Sequence, residues 1–378
     1  MKKLRVLYFS YVPDIQGVSI GPAKKIEKLA DGLRKENTYV KIIFRTTQYS
    51  FTTKAKAFGR GLLKKYFNEA YHLLMNLKNI VEEYFLIKKD QPDIIITRLE
   101  IYNFSGLLLA KLMRIPFILE ADSPVIYEYD RIWGKNCLRS FIAEYIERLN
   151  VVYADALFVI SHKLRDYYLS KGLKNKKIVV IPNGADPHEF YPKIKNSALL
   201  NELSLPSKKV IIGWMGSGWS GTKDLVRLAK ILLAMNDNIF FLIIGKRIVE
   251  LEGEHRVFLT GTVEQCYISD YLSLVDIALA PYPHDAFYAS PIKIYEYMAA
   301  GKVVVASPIP QIMEVIRHGE NGIIVDFRNS NAAAKEIITL IDNPELRNKL
   351  GQNARQSILE KHTWQGRSRA LADMFHQL

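Results

Sequence analysis

The strongest constraint on the fold is a rhythm. Short apolar runs, each a strand's length, alternate with longer segments whose apolar residues recur every three or four positions. Leu4–Phe9, Val40–Phe44, Asp93–Thr97, Pro116–Glu120, Ala156–Ile160 and Ile178–Ile181 set it in the first half. Val210–Met215, Phe240–Ile244, Val257–Leu259, Ile277–Ala280 and Val303–Ala306 continue it in the second. Helical patterns lie between, beginning near Ala23 and covering 62–88, a stretch up to Arg114, and 137–153. Runs this apolar need cover on both faces, which parallel strands wound by helices receive. The chain is therefore expected to be α/β with parallel sheets. Its 378 residues suffice for about two domains. Residues 185–207, with Pro187, Pro192 and Pro206, read as the loop between them. The expected domains are 1–190 and 205–361, followed by a helix over about 362–378 that carries Trp364, Leu371 and Phe375.

Two segments of the second half carry chemistry. In the first, Ser290 and Pro291 open a short helix, Gly301 ends it in a left-handed residue, and Val303–Ala306 returns as a buried strand. Ile292, Tyr295, Met298 and Ala299 share one helical face, and into this apolar unit the chain inserts Lys293 and Glu296, three apart. A helix N-terminus favours anions, and a carboxylate one turn deeper suits sugar hydroxyls, so the pair fits a nucleotide's phosphate and ribose. In the second, Gly216-Ser217-Gly218-Trp219-Ser220-Gly221 follows a strand and opens a helix that begins with Lys223. This matches the dinucleotide fingerprint, and the next strand ends at Gly245-Lys246-Arg247, where an arginine suits a 2′-phosphate. An NADP-dependent oxidoreductase is accordingly an alternative reading.

The first half offers weaker signals. Gly17 and Gly21 lie between the first strand and the first helix, where backbone can approach a ligand closely. Glu120 and Asp122 follow one strand, and Arg98 and Glu100 end its predecessor, at the strand ends where open α/β sheets gather ligands.

The stretch Glu296-Tyr-Met-Ala-Ala-Gly resembles the retaining glycosyltransferases of family 4, which have the GT-B fold: two Rossmann-like domains with parallel sheets facing a central cleft. The likeness is best over about 175–325. It implies transfer of a sugar from a nucleotide-diphosphate sugar to a glycan or lipid-linked acceptor with retention of anomeric configuration. It makes Glu296 the ribose ligand and Lys223 a stabiliser of the leaving diphosphate. Ser217 stands where the family usually has an arginine, so Lys293 is expected to share the charge. Tyr288 occupies the position of the family's other glutamate, and Ser290-Pro291-Ile292-Lys293 is similar to a variant lacking it. The resemblance brings the loop of Gly17 to the diphosphate and assigns the base to backbone around Gly261 and Val263. His284 and Asp285 are candidates for the donor hydroxyls, Asp122 for the catalytic contact to the donor sugar, and Arg98 with Glu100 for the acceptor side. Ile178–Asp186, with Phe190, resembles the family's inter-domain junction. No Asp-x-Asp pair is present, so no metal and no cofactor beyond the sugar nucleotide is expected. Tyr288 and the missing arginine motivate a further alternative, a catalytically silent sugar-nucleotide-binding partner subunit.

Charge separates the halves. Residues 1–190 hold 31 Lys and Arg against 20 Asp and Glu, and residues 191–378 hold 21 against 19. Within the excess, Lys54, Lys56, Arg60, Lys64 and Lys65 arrive with no acid among them and with Phe58, Leu62, Leu63, Tyr66 and Phe67 interleaved. Such a segment suits an anionic membrane surface, and no nucleic-acid motif accompanies it. Two distant cysteines, Cys137 and Cys266, suggest a reducing compartment. No run of about 18 apolar residues would span a membrane, and the basic N-terminus has only a strand's worth of apolar residues. The expected place is the cytoplasm, with peripheral contact at the inner face of the membrane.

Overall fold

A computed structural model describes all residues except 1–2, 12–19, 45–61, 128–129, 131–136, 174–176, 217–220, 287 and 289–290. The side chains of 20, 62–69, 71–72 and 137–139 also lie outside the description. The chain divides into two compact units. Unit 1 is Met1–Pro182 with Trp364–Leu378, and unit 2 is Asn183–Thr363.

Unit 1 holds β1 (Leu4–Ser10), α1 (Ile20–Lys35), β2 (Thr38–Phe44), α2 (Leu62–Asp90), β3 (Ile94–Arg98), α3 (Ser105–Met113), β4 (Phe117–Ala121), α4 (Cys137–Tyr153), β5 (Ala156–Val159), α5 (His162–Ser170) and β6 (Ile178–Val180). Its six strands run in the order β2-β1-β3-β4-β5-β6. Every ladder is parallel. Parallel pairing buries both faces, and β3, β4 and β5 are buried at every residue. The direction of winding reverses between β1 and β3, so the switch point lies outside Ser10 and Arg98. The first helix begins at Ile20, three residues before the expected start at Ala23.

Unit 2 holds α6 (Ser197–Glu202), β7 (Val210–Gly216), α7 (Thr222–Met235), β8 (Ile239–Gly245), β9 (Val257–Leu259), α8 (Ile268–Leu274), β10 (Ile277–Ala280), α9 (Ile292–Ala299), β11 (Val303–Ala306), α10 (Pro310–Met313), β12 (Ile323–Ile324), α11 (Ser330–Asp342) and α12 (Pro344–Lys361). The chain then returns to unit 1 as α13 (Trp364–Phe375). Read from β9, the sheet order is β9-β8-β7-β10-β11-β12, the order of a dinucleotide-binding sheet. Strand alternation sorts its core into two layers. Ile212, Trp214, Ile277, Leu279, Val303 and Val305 face α7 and α11. Ile211, Ala278, Ala280, Val304 and Ala306 face α8, α9 and α12. The two-residue β12 was not anticipated, because so short a run carries no periodicity.

In unit 1, α13 lies on α1 at a glycine. A Cβ on Gly32 would stand 2.1 Å from the Ser368 hydroxyl oxygen. That hydroxyl donates to the Leu29 carbonyl at 3.0 Å. Leu371, Met374 and Phe375 thereby join Tyr8, Ile26 and Leu33 in one buried layer.

Candidate functional site

The switch point of unit 2 lies between the carboxyl ends of β7 and β10, and Gly221, the last residue of the glycine turn, packs against it. Gly221 is left-handed (φ 76°) and caps α7, and a Cβ on it would stand 1.9 Å from the Pro281 carbonyl oxygen after β10. The strand ends beside it are tied together. Lys246 N–H donates to Gly216 O at 2.9 Å, and Gly245 N–H to Gly261 O at 3.1 Å. Gly245 (φ 108°) admits this approach only without a side chain, since a Cβ would stand 2.4 Å from Gly216 O.

Lys293 reaches into this end of the sheet. Its Nζ lies 2.9 Å from where a Cβ on Gly216 would be. It stands over the Trp214 ring at 5.0 Å and the Tyr282 ring at 5.3 Å, a cation held by two aromatic faces. Burial pushes its pKa down to about 8, and the nearby Glu296 carboxylate opposes the shift. Burial, with the same carboxylate, pushes the Tyr282 hydroxyl up. Trp214 is buried and its Nε1–H has no hydrogen-bond partner among the described residues.

The helix that carries Lys293 is fixed on three sides. Met215 N–H donates to the Tyr297 hydroxyl at 2.7 Å, tying α9 to β7. Every residue from Ile294 to Ala300 is buried, Glu296 included. At its end Gly301 is left-handed (φ 70°), and the N–H of Lys302 returns to Tyr297 O at 3.0 Å. Arg355 of α12 then donates to Ala299 O at 2.6 Å and to Phe190 O at 2.7 Å, fastening the same terminus to the chain entering unit 2. The helix starts one residue later than expected. Pro291 is its N-cap, with the extended backbone that precedes a helix, rather than a member of the first turn.

The other sequence candidates of unit 2 spread along the same edge. Lys223 is exposed in the first turn of α7. Gly261 (φ 70°) has open space where a Cβ would sit. Val263 is half-buried against the α8–α9 layer. His284 and Asp285 are exposed just after β10. His284 lies near Asp326, whose carboxyl is held down first by its hydrogen bonds from Arg328 at 2.6 and 2.9 Å and also by the charge of His284. Gly17, Ser217 and Ser290 lie outside the described residues.

Unit 1 gathers its candidates into a buried ionic network at the carboxyl ends of β3 and β4. Arg98 pairs with Glu100 and, at 3.0 Å, with Asp122. Lys25 of α1, which sequence reading missed, pairs with both Glu120 and Asp122. Tyr8 donates its hydroxyl to Glu120. Burial alone would raise the Asp122 carboxyl, but Lys25 and then Arg98 overturn that and hold it at about 2. Burial likewise opposes the charge on Lys25, and Asp122 with Glu120 outweighs it. Removing one member of such a network strands a buried charge, a loss of about 3–5 kcal/mol. Among the described residues no group of three or more His, Cys, Asp and Glu is arranged to hold a metal ion.

Two parallel six-stranded α/β units, the second with a caged lysine and a buried glutamate at its switch point, define a protein of the GT-B class. The profile "Glycosyl transferases group 1" matches residues 201–357, and "Glycosyltransferase Family 4" matches 21–189. The chain belongs to this glycosyltransferase family. It is similar to the N,N'-diacetylbacillosaminyl-diphospho-undecaprenol alpha-1,3-N-acetylgalactosaminyltransferase of Campylobacter jejuni, 24% identical over 340 residues that cover 86% of this chain and 88% of the relative. Among solved structures it resembles the sucrose-phosphate synthase of Thermosynechococcus elongatus (TM-score 0.75, 18% identity, 99% and 98% of the two chains). It also resembles Anabaena HepE in complex with UDP and glucose (TM-score 0.70, 17% identity, 99% and 100%).

Proposed function

We propose that the chain transfers a sugar from a nucleotide-diphosphate sugar to a glycan or lipid-linked acceptor, with retention at the anomeric carbon. The observation that carries this reading is Lys293, a half-buried cation held by two aromatic rings beside Gly216 on the switch point, with buried Glu296 one turn behind it. A developing diphosphate needs preorganised positive charge where water is excluded, and Lys293 with Lys223 supplies it without a metal. Glu296 accepts the ribose hydroxyls, and the backbone around Gly261 and Val263 receives the base. His284 and Asp285 sit on the exposed rim where a donor sugar's hydroxyls would lie. Front-face departure of the diphosphate would account for retention without a carboxylate nucleophile. Asp122, Arg98 and Glu100 form the polar wall of unit 1 and are the candidates for the sugar and acceptor contacts.

The relatives support both halves of this reading. HepE was solved with UDP and glucose, and the Campylobacter relative is named for an acceptor on diphospho-undecaprenol. A lipid-linked acceptor would also give the segment with Lys54, Lys56 and Arg60, which lies outside the described residues, an anionic membrane to meet. Lys64 and Lys65 fall in the first turn of α2, with their side chains outside the description. The cytoplasmic face is the matching location. For the NADP alternative, the candidate cation Arg247 is exposed and pairs with Glu252 at 3.1 Å.

Thermal shifts with UDP, GDP, ADP and NADP, all in EDTA, test the proposal. A nucleoside diphosphate should stabilise the protein, and Glu296→Ala should abolish that shift while the unliganded protein stays folded. Stabilisation by NADP alone would overturn the reading. Transfer or hydrolysis of the matching donor sugar separates an enzyme from a silent partner.

A further inference from the structure

Helix α2 carries large apolar residues on its outer face. Its buried stripe mixes polar and apolar residues: Asn76, Asn79, Glu83 and Ile87 recur at three- and four-residue steps and are 2%, 4%, 0% and 1% exposed. This inner face is specified by hydrogen bonds. Asn76 donates to Tyr102 O at 2.8 Å and accepts from Phe104 N–H at 2.9 Å, and Glu83 accepts from the Tyr11 and Ser105 hydroxyls. The opposite stripe is apolar and faces outward. Leu74, Leu77, Val81 and Phe85 are 62%, 63%, 56% and 66% exposed, with Tyr84 beside them. The outer row takes no part in these inner contacts, so the packing of unit 1 does not account for it. Such a contiguous row marks an interaction surface.

The charges around the row indicate the partner. Among the described residues, Lys78 is exposed beside the row and pairs with Glu82 at 3.6 Å, and Lys88 and Lys89 are exposed in the last turn. Residues 1–190 as a whole carry 31 basic against 20 acidic side chains. An apolar row with exposed lysines beside it and at its end matches a bilayer whose headgroups are anionic: the row enters the headgroup–acyl boundary while the ammonium groups stay with the phosphates. A second copy of the same face fits worse, because it would bring two basic surfaces together.

We propose that the outer face of α2 is a docking surface for an anionic lipid bilayer. The proposal deepens the lipid-side reading given above by naming the surface that meets the membrane. It needs neither donor nor acceptor, so its failure would leave the transferase reading intact, and the loss of transferase activity would leave it intact.

The full chain, without substrates, is sedimented with phosphatidylcholine vesicles and with vesicles of phosphatidylcholine and phosphatidylglycerol. Binding to the anionic vesicles alone, weakened by salt, is expected. Leu77→Asp with Phe85→Asp should lower that binding about tenfold or more without lowering the melting temperature, since both side chains are exposed. Lys88→Glu with Lys89→Glu should weaken it and reduce its salt dependence. The proposal is overturned if the wild-type chain stays in the supernatant with anionic vesicles, or if the aspartate pair leaves binding unchanged. It is equally overturned if the aspartate pair only converts a dimer to a monomer in light scattering while vesicle binding persists.

Discussion

A lysine held against two aromatic rings by its surroundings is poised to lose its proton at an accessible pH. Burial brings Lys293 down to about 8, so the free enzyme carries the ammonium at neutral pH and sheds it as pH rises past that value. If the ammonium meets the donor diphosphate, kcat/KM for the donor should fall above about pH 8. Lys293→Arg, which stays cationic, should flatten that fall. Lys293→Met should reduce kcat/KM at pH 7 by roughly 10- to 100-fold, the worth of one charged hydrogen bond. Steady-state rates from pH 6.5 to 9.5 check both. A falling limb of equal steepness in the arginine variant would assign the titration to another group. The residues that build this cage show what a sequence conceals. Lys293 and Glu296 announce themselves as charges in an apolar segment. Trp214 and Tyr282 do not, because an aromatic at the end of a buried strand reads as core. Lys25 is hidden for a different reason: it is one of four lysines in the first helix, and its carboxylate partners are about a hundred positions away.

At the scale of elements, parallel strands were legible because burial on both faces leaves continuous apolar runs, whereas the order of the strands in each sheet came only from the structure. Helix faces were less so. Periodicity finds two faces of α2 but does not say which one meets the core, and the one with Asn76, Asn79, Glu83 and Ile87 does, in part through partners on the loop before α3. Helix α4 hides a similar case. Glu147 is buried, accepting from the Val125 N–H at 3.2 Å and the Tyr168 hydroxyl at 2.8 Å. Burial raises its carboxyl from 4.5 to about 7, against both hydrogen bonds. Between those values the folded chain holds a proton that the unfolded chain has released. Stability from this group is therefore complete below about pH 4.5 and is lost as pH rises through 7. Its span is about 3 kcal/mol, from 1.36 kcal/mol per pKa unit. Glu147→Gln mimics the protonated form. Urea titrations at pH 5 and pH 8 should show the variant gaining about 2–3 kcal/mol on the wild type between the two. A difference that does not change with pH would mean that Glu147 is already ionised in the folded chain.

At the scale of the whole molecule, the chain order and the unit order differ: unit 1 is completed only by α13, after all of unit 2 has been made. That helix contributes Leu371, Met374 and Phe375 to the layer over Tyr8 and Ile26. At about 1.5–3 kcal/mol for each large side chain buried, the three are worth roughly 5 kcal/mol or more before the ordering cost is deducted, a large share of a single domain's margin. A chain truncated before Trp364 should therefore lose the unfolding transition of unit 1 or shift it far down. Unit 2 has its own sheet and both of its own core layers, and should keep its transition. Calorimetry of the full and truncated chains resolves this, because independent units melt as separate transitions rather than one. A nucleoside diphosphate at 100 times its Kd adds about 2.7 kcal/mol to whichever unit binds it. If Lys293 and Glu296 form the donor site, that gain should appear on the surviving transition of the truncated chain with nearly its full size. If the ligand shift disappears together with α13, donor binding requires unit 1, and the site drawn on unit 2 alone is incomplete.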